Sequence, residues 1–181
     1  MSHGETVELV AFEKVTYDLL RELRDALTER IPLQSLEVRA HREALSLPDS
    51  AFNSARGQYD AHEILSILAS KIPRDVHALG VVPEDLFVPR LNFVFGIAQR
   101  GGNAVIATVR LKPEFYGGAS NQELFVERAV KEAVHELGHV FGLSHCDNDC
   151  VMRFSNSLPE TDAKPSTFCE ACKSKLEHVH R

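Results

Sequence analysis

The chain has 181 residues, 44% hydrophobic and 25% charged, which is the make-up of an ordinary globular protein long enough to bury one self-sufficient core. These proportions argue against disorder, collagen-like repeats and coiled-coil fibres. Acidic residues outnumber basic ones, 26 to 20, for a net charge of −6, and no Lys/Arg stripe offsets it, so no nucleic-acid partner is expected.

No apolar run approaches the ~18 residues of a membrane span, so no membrane partner is expected either. The opening MSHGETVELV lacks the charged-then-apolar order of a secretory signal, and a cytoplasmic location with reduced thiols is the expectation. Residues 6–12 alternate and are rich in β-branched side chains, which predicts a first strand. Thr16 stands at a helix N-cap position, and Leu19, Leu20, Leu23, Ala26 and Leu27 recur at helical spacing until Pro32. Residues 36–40 fit a short strand, and 48–59, rich in breakers and polar residues, read as a loop. Helical periodicity returns over 62–72 through Ile64, Leu65, Leu68 and Ala69, and Pro73 ends it. Segments 76–82 and 92–98 read as strands, with Gly96 marking a bulge or a close approach. A turn at Arg100, Gly101, Gly102 and Asn103 leads into a strand over 104–111.

From 121 to 141 the positions Leu124, Val126, Ala129, Val130, Ala133, Val134, Leu137 and Phe141 describe a long helix. Beyond Gly142 the pattern fades, and 158–165 reads as a flexible tail loop. The alternation of strands and helices predicts one domain over 1–181, of α/β or α+β class with a mixed sheet.

The chemistry concentrates near the C-terminus. Residues 135–145 read H-E-L-G-H-V-F-G-L-S-H, and all four cysteines (Cys146, Cys150, Cys169 and Cys172) follow directly. On a helix His135 and His139 share one face and can bind one metal. Glu136, rotated by about 100°, sits beside the metal and can take a proton from a metal-bound water. Gly142 suits a left-handed helix end, after which the chain can swing back to present His145 as a third ligand. Three nitrogens on tetrahedral zinc leave one position open, as in catalytic sites. His62 and Glu63 show the contrast: Ser66 stands where a second histidine would fall, so that pair reads as solvated helix face. Tyr116, His178 and His180 read as an ordinary loop aromatic and frayed terminal side chains, and none joins the ligand set.

The extended motif is similar to the metzincin signature, which places a methionine turn downstream, and Met152 in C-V-M fits it. With Cys146, Cys150 and the distant C-x-x-C at Cys169 and Cys172, the chain resembles the archaemetzincin family. R-G-Q-Y at 56–59 and L-N-F-V-F-G at 91–96 are similar to segments of that family, with less specificity. The spacers from Cys146 to Cys150 and from Met152 to Cys169 are each one residue shorter than the family pattern.

The resemblance implies a metzincin-like mixed sheet, a long zinc-binding helix and a C-terminal tail stapled by zinc. It implies two zinc ions: a catalytic one on His135, His139 and His145 with Glu136 as base, and a structural one on Cys146, Cys150, Cys169 and Cys172. The rival readings of the cysteines are two disulfides or unpartnered thiols. The implied activity is hydrolysis of peptide bonds in a peptide or protein substrate. The strand over 104–111 is implied as the edge on which an extended substrate pairs. The alternative function is a zinc-binding module of the same fold with little or no peptidase activity. A four-cysteine module that binds nucleic acid is a third reading, disfavoured by the acidic charge.

Overall fold

In a computed structural model that describes residues 4–179, eight strands and five helices follow one another along the chain. They are β1 (Thr6–Ala11), α1 (Tyr17–Arg30), β2 (Glu37–Ala40), β3 (Phe52–Asn53), β4 (Gln58–Asp60) and α2 (Ala61–Lys71). Then come β5 (His77–Val82), β6 (Leu86–Phe87), β7 (Gly96–Ala98), β8 (Ala104–Ala107), α3 (Gln122–Val140), α4 (Leu158–Ala163) and α5 (Glu170–Val179). His180 lies outside the described residues. None of the described helices is long and apolar enough to cross a membrane.

The main sheet has five strands in the order β2-β1-β5-β8-β7. All neighbours are parallel except β7, which runs antiparallel to β8 at the edge. Alternation within the strands serves two cores. Leu79 and Val81 of β5 join Leu9, Ile106 and the leucines of α1 on the face that α3 also covers. Ala78 and Val82 face the other way, onto Ile64 and Leu68 of α2. A parallel sheet covered on both faces has no wet side, which is why β8 reads Ala-Val-Ile-Ala and is buried throughout.

The capping residues act as their types dictate. Thr16, Asp60 and Asn121 each accept a backbone N–H of the first turn of the helix that follows, at 3.3, 2.8 and 3.0 Å. On α1 the buried face is Leu19, Leu20, Leu23 and Leu27. Replacing Leu23, which is fully buried, by Ala would cost about 3 kcal/mol.

Four expectations need correction. Segment 48–59 is not a plain loop: it folds into the β3–β4 hairpin, whose turn uses Gly57 at φ 65°, and β4 pairs with β6 in a small second sheet. Strands of two and three residues are too short for periodicity to show. The strand expected over 92–98 is cut to Gly96–Ala98. The strand expected over 104–111 ends at Ala107 and gives way to a 3-10 turn at Val109–Leu111. It is also not the edge, since β5 and β7 flank it on both sides, and the edge is β7.

The fourth correction concerns the tail. Residues expected as a flexible loop form α4, which is fastened to α3 by charge. Arg128 grips Asp162 with two contacts of 2.7 and 2.6 Å, Lys131 donates to the Asp162 carbonyl at 2.9 Å, and Lys164 meets Glu132 at 3.1 Å. Polar contacts leave no hydrophobic period to read. Cys172 and Leu176, one turn apart on α5, are buried and complete the core beneath.

Candidate metal and catalytic site

The last two turns of α3 carry His135, Glu136 and His139. Gly142, at φ 97°, ends the helix; Leu143 N–H returns to the Gly138 carbonyl at 2.9 Å, and Gly142 N–H to the His139 carbonyl at 3.0 Å. That reversal brings His145 back, its ring centroid 5.4 Å from His135 and 4.8 Å from His139.

Backbone carbonyls fix the tautomers. His135 Nδ1 lies 2.8 Å from the Val151 oxygen and His139 Nδ1 lies 2.9 Å from the Leu143 oxygen. A carbonyl can only accept, so each Nδ1 carries the hydrogen and each Nε2 presents a lone pair. The two Nε2 atoms are 3.1 Å apart, and one ligand atom from each of the three histidines falls within 4.8 Å of the others. Lone pairs held this close repel unless a cation lies between them. Tetrahedral zinc with nitrogens at 2.0–2.1 Å would set them about 3.3 Å apart. The donor set fits the ion.

Electrostatics keep the imidazoles neutral. Burial, aided by the Lys164 ammonium, pushes His135 down to about 3. Burial also lowers His139 and His145 from the ordinary histidine value. Neutral imidazole is the metal-binding form. Burial and then the Glu132 charge hold the Glu136 carboxyl well above its usual range, and Lys164 opposes them. A cation at the histidines would act in the same sense as Lys164 and favour the carboxylate.

Two glycines seat these groups by what they lack. A Cβ on Gly96 of β7 would stand 2.7 Å from Glu136 Cγ and 2.8 Å from its Oε1. The close approach anticipated there is therefore the seat of the glutamate, and no bulge forms. A Cβ on Gly138 would collide with Met152 Sδ. Fully buried Met152 thus packs under the helix between the two histidine positions, and its carbonyl accepts Cys146 N–H at 3.1 Å.

The histidines and Glu136 open into a cleft of about 460 Å³, whose other walls include Gly96, Ile97 and Ala98 of the sheet edge, Phe93, Phe154, Glu132 and Lys164. Glu132 and Lys164 are cleft residues that the sequence does not announce: Glu132 is one more polar position on α3, and nothing in the 158–165 pattern says which side chain turns inward. The R-G-Q-Y segment has a visible task. Arg56 donates to the carbonyls of Leu91 and Asn92 at 2.7 and 2.9 Å, and Gln58 donates to Asn92 at 2.8 Å and Asp85 at 2.9 Å. Together they pin the segment that forms one cleft wall. Tyr116 lines a neighbouring recess instead of this cleft, and His178 is exposed on α5.

The four cysteine sulfurs gather within 4.8 Å of one another, and none is disulfide-bonded. Cys146 and Cys169 Sγ are 3.8 Å apart, against about 3.8 Å for two sulfurs on tetrahedral zinc and about 2.0 Å in a disulfide. Backbone N–H groups of Met152 and Cys169 point at Cys150 Sγ at 3.5 and 3.3 Å, as suits a thiolate. Burial pushes the Cys169 thiol up, but hydrogen bonds from the Cys172 backbone and Asn148 outweigh it and bring the group to about 6. Burial raises Cys150 and Cys172.

Comparison with known proteins agrees with this geometry. The model of Peptidase family M54 matches residues 5–178. An archaemetzincin of Pyrococcus abyssi is 45% identical over 175 residues, covering 93% of each chain. Among solved structures, an archaemetzincin of Methanopyrus kandleri superposes with a TM-score of 0.85 at 36% identity, over 97% of this chain and 95% of that one. A zinc-dependent peptidase of Methanocorpusculum labreanum gives 0.84 at 30% identity, over 94% and 99%. The chain therefore belongs to peptidase family M54, the archaemetzincin family of zinc metallopeptidases.

Proposed function

We propose that the chain hydrolyses peptide bonds at the histidine cleft, with His135, His139 and His145 holding a catalytic zinc and Glu136 acting as general base. The observation that carries this reading is the pair of carbonyl-locked imidazoles, whose Nε2 lone pairs converge beside Glu136 in an open cleft. A zinc ion bound there supplies Lewis-acid chemistry, polarising the scissile carbonyl and acidifying water.

The chain's own residues do the rest. The Glu136 carboxylate, seated against Gly96, takes a proton from the attacking water and returns it to the departing amine. The edge strand β7 lines the cleft and offers main chain on which an extended peptide can pair as an added strand. Met152, under the helix at Gly138, keeps the histidine positions from shifting. Cys146, Cys150, Cys169 and Cys172 hold a second, structural zinc, giving two ions per chain. Because Cys146 is bonded to His145 in sequence, that second site fixes where the third histidine points. Thiolate ligation of this kind suits a reducing compartment, the cytoplasm.

The test is Glu136→Gln. The amide keeps the side-chain size and all three histidines, so zinc content and melting temperature should match the wild type. Cleavage of a peptide library by the zinc-loaded protein, read by mass spectrometry, should fall at least ~100-fold. Cleavage of the same peptides at the wild-type rate would remove Glu136 from the mechanism.

A further inference from the structure

A second recess, of about 540 Å³, adjoins the histidine cleft and shares Phe93 and Asn156 with it. Tyr116, Pro113, Leu158 and Pro159 form much of its wall. The hydrolytic chemistry makes no use of it. Its cationic groups are already engaged: Arg110 contacts Asp85 twice at 2.7 Å, and Arg128 holds Asp162 at 2.7 and 2.6 Å. An anion would find no uncommitted charge there.

What the recess does offer is rigid apolar surface. The Arg110 guanidinium lies over the rings of both Phe93 and Phe115, 4.2 and 4.9 Å from their centroids. Phe115 in turn meets Tyr116 edge-on at 5.0 Å. Phe115 and Tyr116 are 44% and 53% exposed; Leu91 and Phe154, on the walls of the histidine cleft, are 51% and 53% exposed. These are four of the six large hydrophobic side chains left exposed among the described residues. Scattered singly they would need no account, but Leu91 and Phe154 line the cleft and Tyr116 lines the adjoining recess with Phe115 packed on it, an apolar band along both.

We propose that this second recess receives an apolar side chain of the same peptide whose scissile bond lies at the histidine cleft, making it a specificity subsite remote from the reacting bond. The proposal rests on the hydrolytic reading of that cleft. An extended peptide advances about 3.3 Å per residue and turns every second side chain to the same wall, so a peptide seated in the cleft carries a side chain past Phe93 within a few residues. Neutralised arginines and exposed rings select an apolar side chain over a charged one, since burying an unpaired charge against them is costly.

A randomised peptide library tests this in two arms: capture on the zinc-loaded Glu136→Gln protein, and digestion by the wild type. Both arms should enrich large apolar residues about tenfold over serine at one position set apart from the scissile bond. Tyr116→Ala should erase that enrichment and keep the preferences next to the bond. Tyr116→Phe should retain it, because the ring is kept and only the hydroxyl that meets Arg110 is lost. Absence of the remote preference in the wild type, or its survival in Tyr116→Ala, overturns the proposal. A Tyr116-dependent dimer with no remote preference also overturns it, assigning the band to self-association. Capture with the remote preference but no digestion sinks the hydrolytic reading and leaves the recess a peptide site. Digestion without the remote preference does the reverse.

Discussion

His145 and Cys146 are neighbours in the chain, yet they belong to clusters built in opposite ways. Two of the three histidines sit on α3, a helix of 19 residues buried against the main core, so their positions are set by secondary structure. Three of the four cysteines lie on irregular chain or just ahead of α5, and only Cys172 is within a helix. The histidine cluster opens onto a cleft and keeps its imidazoles neutral, whereas the cysteine cluster is closed by its own sulfurs. One cluster is positioned by a long helix; the other, if it holds zinc as proposed, ties irregular chain of the tail onto the core. A catalytic zinc needs the first arrangement and a structural zinc the second.

The sharpest way to break that contrast is to remove a ligand from each side. His139→Ala should abolish zinc binding in the cleft and cut hydrolysis at least ~100-fold, with a small change in melting temperature, because the helix stands without the metal. Cys169→Ser with Cys172→Ser should act the other way round. It should lower the melting temperature by at least about 5 °C, since structural zinc is worth on the order of 10 kcal/mol in small modules and each kcal/mol moves a domain of this size about 2–4 °C. Weaker zinc binding in the cleft should follow, because His145 loses its neighbour's anchor. Calorimetry and metal analysis of both variants decide the matter. Equal melting shifts in the two would mean that the sites do not differ in kind.

A finer break leaves every ligand in place. Gly96→Ala would put a methyl group 2.7 Å from Glu136 Cγ and 2.8 Å from the Val105 carbonyl of the neighbouring strand β8. The glutamate must move, and the β7–β8 pairing must give with it. Displacement of a catalytic group by about 1 Å costs on the order of 100-fold, so activity should fall by that factor while zinc content stays at the wild-type level. Unchanged turnover would show that Glu136 has room to spare.

These same residues show what is legible in the sequence alone. The helix and the convergence of its histidines are legible because His135 and His139 follow helical spacing and Gly142 a glycine stop, both local rules. Gly96 was read as a close approach without naming its partner, because the glutamate it touches lies 40 positions further on. Helix α4 was not legible at all. Its hold on α3 runs through Asp162 and Lys164, and a buried ion pair looks in sequence like any solvated pair. The expected edge lies one strand too far into the sheet for a related reason. Strand order is a property of non-local pairing, and β7 has only three residues with which to announce itself.

The two sites should also part in the order in which they lose metal. The histidine cluster offers three ligand atoms beside a cleft through which a chelator can enter, while the cysteine cluster offers four. A mild chelator should take one zinc quickly, with the loss of activity, and leave a second bound until the tail is unfolded. Metal analysis after stepwise dialysis should therefore read two, then one. A single ion that persists at one per chain under zinc supplementation would leave only one of the sites in use.

The smallest effects belong to the metal-stripped protein, where protons report what each cluster was built to hold. His135 falls to about 3 on burial, so it should stay neutral far below the pH at which an exposed imidazole charges. The unfolded chain binds that proton near pH 6.5 and the folded chain does not. The stability from this group is therefore present above pH 6.5 and declines as pH falls towards about 3. Cys169 departs in the same direction but from a higher start: it sits at about 6 because hydrogen bonds from Cys172 N–H and Asn148 favour the thiolate over the cost of burial. Its contribution is present above the ordinary thiol value and is lost as pH falls through about 6. Imidazole chemical shifts and the pH dependence of alkylation separate the two. His135 signals should hold still from pH 8 to pH 5, while Cys169 goes on reacting as a thiolate down to about pH 6 and Cys150 and Cys172, raised by burial, stay slow. A His135 that titrates near 6.5 would mean that the cleft, once stripped, no longer keeps its imidazoles dry. The fold would then depend on what occupies the histidines, as we propose it depends on zinc at the cysteines.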